Sequence, residues 1–432
     1  MIFYLAWRNL IRQRQRYALV ALAVVLGFAL VCVVSGTAFG ALEALKAKGA
    51  RYFAGEVSVQ GFPDGVKAHQ RIDGAASIAS KLRNSSLGIR SANPRAIYYG
   101  DDASLLFGGE SVRQRRLAGI DFAAERAEFA GLAFVDGDLG GMIGTEAEQG
   151  ILISESAAKI LGAHNGDEVT IALSTDTGQY NTGTLVVRGI FRETSLFGYI
   201  AYVQIDELNK LVGRPKGTAT DLALYGFPGG DNIRLADAVR TSLGTWAKVF
   251  PSTPTKDSVD VALNAGVSDE TYSILPLEGN LKQIGEIVSA FLAVTLVALG
   301  IFAVIVMVGI LNTFRVIAYE RTREVGTMRA LGMQRRQVSR LFLAEALIMG
   351  VVSCASGLAL AMASFGALSL ANFSHLSVAG LFMEQGHLRF FLDPLMTILD
   401  FGIMLAATLV AAWGPAHRAS AVDPAVALRT EV

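Results

Sequence analysis

Cysteine is nearly absent. Of 432 residues only Cys32 and Cys354 are thiols, both inside apolar runs where free Cys behaves as a small hydrophobe. That excludes a disulfide framework and a cysteine-based zinc site. Histidine is also scarce: His69, His164, His375, His387 and His417 show no ligand spacing, so no metal is expected. No H-E-x-x-H or G-x-S-x-G stretch occurs, which argues against an embedded hydrolase. No G-x-x-x-x-G-K-[ST] stretch occurs either, and Gly213-Arg214-Pro215-Lys216-Gly217 has the wrong order. The chain therefore does not cradle nucleotide phosphate by that route, and no catalytic residue is expected.

Charge is sparse as well, at 18% of residues with a net of zero, against 52% hydrophobic residues and a mean hydropathy of +0.42. This balance points to a membrane protein with a sizeable soluble part. The hydropathy pattern divides the chain into an interfacial helix 1–16, a first span 17–40 and an outer domain 41–283. A second span 284–314, a loop 315–340, a third span 341–370, an outer loop 371–394, a fourth span 395–413 and a tail 414–432 follow. The segments 1–16, 315–340 and 414–432 carry thirteen arginines, no lysine and four acids. Basic residues are retained on the inner side, so all three, with both termini, are expected in the cytoplasm. A nucleic-acid binder would instead gather its cations on a folded domain. Tyr17–Gly40 exceeds the apolar core of a signal peptide, so it reads as an uncleaved span.

Residues 41–283 hold no spanning run and alternate short strands with helices, an α+β pattern. Strands are expected at Glu56–Gln60, Arg95–Tyr99, Ser104–Phe107 and Val112–Ile120, and a helix at Ala75–Leu82. Ser154 reads as an N-cap, and Asn165-Gly166-Asp167 as a turn into the strand EVTIAL. The whole is an α-helical membrane protein with four transmembrane helices and a large extracytoplasmic α+β domain between helices 1 and 2. This domain should fold alone.

The loop 315–340 is the most informative stretch. It carries seven arginines against Glu320 and Glu324, and Val325, Met328 and Leu331 recur at helical spacing as an apolar face that needs a partner. ERTREVGTMRALGMQRRQVSRLFLAEALIMG resembles the signature loop of FtsX-like and MacB-like ABC transporter permeases. The R-N-L core of the first helix and the closing PAHRASAVDPAVALR resemble that family's ends. The order helix, G-D-x-V-x-I, x-V-x-G-I-F resembles its MacB-like core domain.

The resemblance implies a coupling helix that docks on a separate ABC ATPase subunit, which alone would hold ATP and Mg. Glu320, Arg321, Arg323, Glu324, Val325, Gly326, Met328, Arg329, Leu331 and Gly332 are then the ATPase-coupling residues. It further implies a dimer with a second permease copy or paralogue in the bacterial cytoplasmic (inner) membrane. Cargo on the outer side would be a lipoprotein, lipid, peptide or drug. The alternative is an FtsX-like mechanotransmitter that activates an extracytoplasmic partner such as a cell-wall hydrolase. Membrane lipid is a further expected partner, and an outer adaptor another. Two acids fall in spans. Glu345 matches a Glu common in the family and reads as an anchor of the coupling helix. Asp400, costly in a span, reads as a functional suspect or an outer-interface carboxylate.

Overall fold

The computed structural model describes residues 2–421 apart from 13, 65, 67–68, 145–148, 193–198, 228–229, 252–254, 265, 267–268, 372–382, 385–386 and 389. Most of the expected outer loop 371–394, and the tail beyond 421, therefore lie outside the described residues. The chain divides into two units: Met1–Ala41, Val288–Asn372 and Leu388–Val432 in one, and Leu42–Ile287 with Phe373–His387 in the other.

The first unit is helical. Its elements are α1 (Ile2–Arg12), α2 (Arg14–Gly49), α3 (Lys282–Glu320), α4 (Thr322–Ala330), α5 (Arg335–Ser369) and α6 (Pro394–Ala421), some of which run on into the second unit. α2, α3, α5 and α6 are long and apolar enough to cross a membrane. Because α2 is apolar all round, position on the helix decides what each side chain meets. Tyr17, Val20, Val24 and Phe28 are buried against Ile310 and Phe314 of α3 and Met349 and Cys354 of α5. Leu19, Leu22, Leu26 and Leu30, on the same three- and four-residue spacing, are exposed, as a lipid-facing stripe should be. On α1, Ala6 packs against Leu341 and Ala344, while Phe3, Tyr4, Trp7 and Ile11 are exposed. That is the form of a helix lying in an interface.

Small residues let these helices approach. A Cβ added at Gly357 of α5 would stand 2.8 Å from the Val25 carbonyl oxygen and 3.2 Å from the Ala29 nitrogen. Gly357→Val should push α5 off α2 and cost about 1–3 kcal/mol, read as a lowered Tm of the purified protein in detergent. At Gly366, one end of the same helix, an added Cβ meets nothing, so Gly366→Val is the control. Equal melting of the two variants would contradict the close approach.

The second unit is an α+β domain. Strand Val57–Phe62 lies between Thr271–Pro276 and Asp221–Gly226. Asp221–Gly226 pairs with Ile89–Tyr98, whose last residues also pair with Arg116–Ile120. From there the sheet continues through Ile200–Gln204, Gly150–Ser154, Tyr180–Arg192, Glu168–Ser174, Ser104–Phe107 and Glu110–Arg113. The larger apolar clusters of the domain lie around Val59, Leu82 and Leu222 and around Ile153, Leu185 and Val203. The single strand expected over Val112–Ile120 is two. Glu110–Arg113 closes a hairpin on Ser104–Phe107, and the chain then crosses to Ile200–Gln204, with the Arg115 nitrogen donating to the Tyr199 carbonyl. Ser154 caps its helix, its hydroxyl accepting from the Ala157 nitrogen at 3.4 Å. Arg95, on the strand between Ala92 of the first cluster and Ala96 of the second, is fully buried as a pair with Glu125, and it also donates to the Arg51 carbonyl at 2.8 Å.

Candidate functional site

The expected loop 315–340 is a helical elbow. α3 stays helical through Glu320, six residues past the predicted end of the second span, and the chain breaks at Arg321 (φ −90°, ψ 9°) before α4. Gly332, at φ +100°, ends the elbow, a conformation that costs a side chain but not glycine. Gln334 then caps α5, its backbone nitrogen donating to Oε1 of Gln337 at 2.9 Å.

What sets the elbow is a buried carboxylate. Glu345 on α5 is fully buried. Its Oε1 accepts from Asn9 Nδ2 at 2.8 Å and from Arg321 Nη1 at 2.9 Å. Its Oε2 accepts from the Tyr17 hydroxyl at 2.7 Å and from Arg321 Nη1 at 2.8 Å. Both oxygens are thus used twice, which is close to the capacity of a carboxylate. Arg321 is 3% exposed, pairs through Nε with Glu324 Oε2 at 3.0 Å, and lies over the Phe342 ring at 5.2 Å. Burial alone would lower the pKa of this guanidinium; the Glu345 carboxylate outweighs that and raises it. Residues of α1, of α2, of the start of α4 and of α5 are thus tied at one point, the first pair more than 300 residues from the second.

This geometry sorts the ten residues expected to contact an ATPase. Arg321, Val325 and Gly326 are buried and do not face outward. Val325 packs on Ala318, Val338, Phe342, Ala416 and Ala419, so the apolar face expected across Val325, Met328 and Leu331 is not one surface. Met328 is half-buried, with neighbours in α1 and α5. Glu320, Arg323, Glu324, Leu331 and Gly332 are exposed and Arg329 half-buried. Leu331 is 89% exposed. The other described arginines of the stretch, 315, 323, 335, 336 and 340, point outward. Asn9 and Tyr17 were not singled out from the sequence as partners of Glu345, although Asn9 stands in the R-N-L core.

Asp400 is elsewhere. Gly350 abuts Leu405 and Thr408 of α6, and Glu345 and Asp400 lie on opposite sides of that contact. Asp400 is half-buried in a small crevice with Cys32 and Ser35. Among the described residues no group of three or more His, Cys, Asp or Glu is placed to hold a metal ion.

Four spanning-length helices among the described residues, a buried latch behind an exposed elbow and a large α+β domain after the first span define a polytopic membrane protein. Residues 296–424 match the family model described as FtsX-like permease C-terminal, and the chain is similar to FtsX-like and MacB-like ABC transporter permeases. It is 33% identical over 124 residues to the pyoverdine export ATP-binding/permease protein PvdT of Pseudomonas syringae pv. tomato, covering 29% of this chain and 17% of that protein. It is 26% identical over 200 residues to the ABC transporter permease YtrF of Bacillus subtilis, covering 45% and 43%. The macrolide export ATP-binding/permease protein MacB of Hyphomonas neptunium is 32% identical over 124 residues, with 29% and 17% covered. The chain thus spans less than half the length of these relatives. The periplasmic region of MacB from Actinobacillus actinomycetemcomitans aligns with 55% of this chain and 95% of its own length, at 16% identity and a TM-score of 0.34.

Proposed function

We propose that this chain is the transmembrane subunit of an ABC transporter in the bacterial cytoplasmic membrane. In this reading it pairs with a second permease copy or paralogue and with separate ATPase subunits that hold ATP and Mg. The elbow is the docking element, and the cargo, a lipoprotein, lipid, peptide or drug, is moved or released on the outer side. The observation that carries the reading is the latch at Glu345. A merely solvated loop has no use for a buried ion pair, which is costly to desolvate and rewards only a fixed geometry. Here the pair holds the start of α4 on the helical unit while Leu331 and Arg323 are left uncovered.

The reading requires α4 and the domain to lie on opposite sides of the membrane. With Cys32 and Cys354 replaced, a single cysteine at Thr177 should react with an impermeant thiol reagent on intact spheroplasts. One at Gln334 should react only after lysis; both positions are exposed in the fold. Labelling of position 334 but not 177 would overturn the topology. Docking itself is tested by retention of the ATPase on an elbow variant, set out at the end of the Discussion.

A further inference from the structure

The domain holds a cavity of about 870 Å³, within the range of small-molecule sites, and no part of the transport reading uses it. One wall is aromatic: Tyr52, Phe53, Tyr99 and Tyr199 line it. The Tyr99 hydroxyl is tied down, donating to Asp221 Oδ2 at 2.9 Å and accepting from Gln70 Nε2 at 3.0 Å. Its ring is nevertheless 44% exposed.

The same wall also carries cations. The Arg116 guanidinium stands 4.8 Å from the centre of the Tyr52 ring and 5.7 Å from that of Phe53. Arg115 and Lys256 also line the cavity and are exposed, and neither has an ion-pair partner among the described residues. Arg113 is already paired with Asp101 at 2.8 Å; Asp257 is the other acid of the lining, and Asp221 and Asp260 stand beside Arg116 and Lys256 in the adjoining crevice. Two buried atoms of lining residues, Arg116 Nε and Gln114 Oε1, have no hydrogen-bond partner among the described residues. Tyr52 comes three residues after the end of α2, and Asn280, also on the wall, two residues before the start of α3.

We infer that this cavity binds an anionic amphiphile, a phosphate or carboxylate head on an apolar body. The head meets Arg115, Arg116 and Lys256, and the body lies on the rings of Tyr52, Phe53 and Tyr99. Charge-assisted hydrogen bonds supply the selection for the head, and aromatic faces accept any apolar body without demanding one shape. Binding belongs to this chain alone, so it stands or falls separately from ATPase docking.

The test uses the full chain in a neutral detergent, titrated calorimetrically with dihexanoyl phosphatidylglycerol, dihexanoyl phosphatidylcholine and inorganic phosphate. The phosphatidylglycerol should bind saturably. The zwitterionic lipid, which lacks the net charge, and phosphate, which lacks the body, should each bind at least about tenfold more weakly. Arg115→Glu combined with Lys256→Glu reverses two exposed side chains and should leave the melt unchanged. It should weaken phosphatidylglycerol by about tenfold or more. Absence of saturable binding, or equal binding by the folded double variant, would overturn the site. Phosphate binding as tightly as the phosphatidylglycerol would mean a free anion is the ligand and would overturn the amphiphile.

Discussion

Glu345→Ala should be among the most damaging single substitutions in the helical unit. It removes the acceptor of Asn9, Tyr17 and Arg321 at one stroke, and it leaves a guanidinium that is 3% exposed without its counter-charge. Breaking a buried pair from one side costs about 3–5 kcal/mol. Arg321→Lys keeps the charge but loses the two-oxygen contact, the Nε bond to Glu324 and the stacking on Phe342, so it should fall between wild type and Glu345→Ala. Asn9→Ala deletes one half-buried hydrogen bond and should cost only about 1 kcal/mol. Thermal melts of the purified variants in detergent give the order directly. If Glu345→Ala melted with Asn9→Ala, the ion pair would not be what holds the elbow.

The spans and the domain were legible in the sequence because their signals are local. A run such as Tyr17–Gly40 has only one cheap environment, and the alternation that sets Val169, Ile171 and Leu173 on one face is that of a strand. Boundaries were less legible: α3 and α6 run past the apolar stretches into residues that a hydropathy reading assigns to loop and tail. The latch was only half visible. Glu345 stood out as an acid in an apolar run, but its partner Asn9 is 336 residues away, and nothing local announces such a contact. The elbow's apolar face was misjudged for a geometric reason. At 3.6 residues per turn, positions three and six apart sweep about 120° around a helix. Val325 at one edge of that arc faces α5 and α6, while Leu331 at the other faces out.

That division selects the variant for the decisive measurement. Met328→Asp would place a carboxylate beside α1 and α5 and disturb the fold, so it does not discriminate. Leu331 is 89% exposed, and Leu331→Asp should leave the isolated chain with an unchanged melt. If α4 docks on an ATPase through this side chain, the variant puts a carboxylate into an apolar contact, at a cost of about 3 kcal/mol or roughly a hundredfold in affinity. The measurement is co-purification in detergent, where no bilayer remains to hold the partners together, of the cognate ATPase with wild type and with Leu331→Asp. Loss of the ATPase from a variant that melts like wild type is the predicted result. Wild-type amounts of bound ATPase on Leu331→Asp would contradict the assignment of the elbow as the docking element.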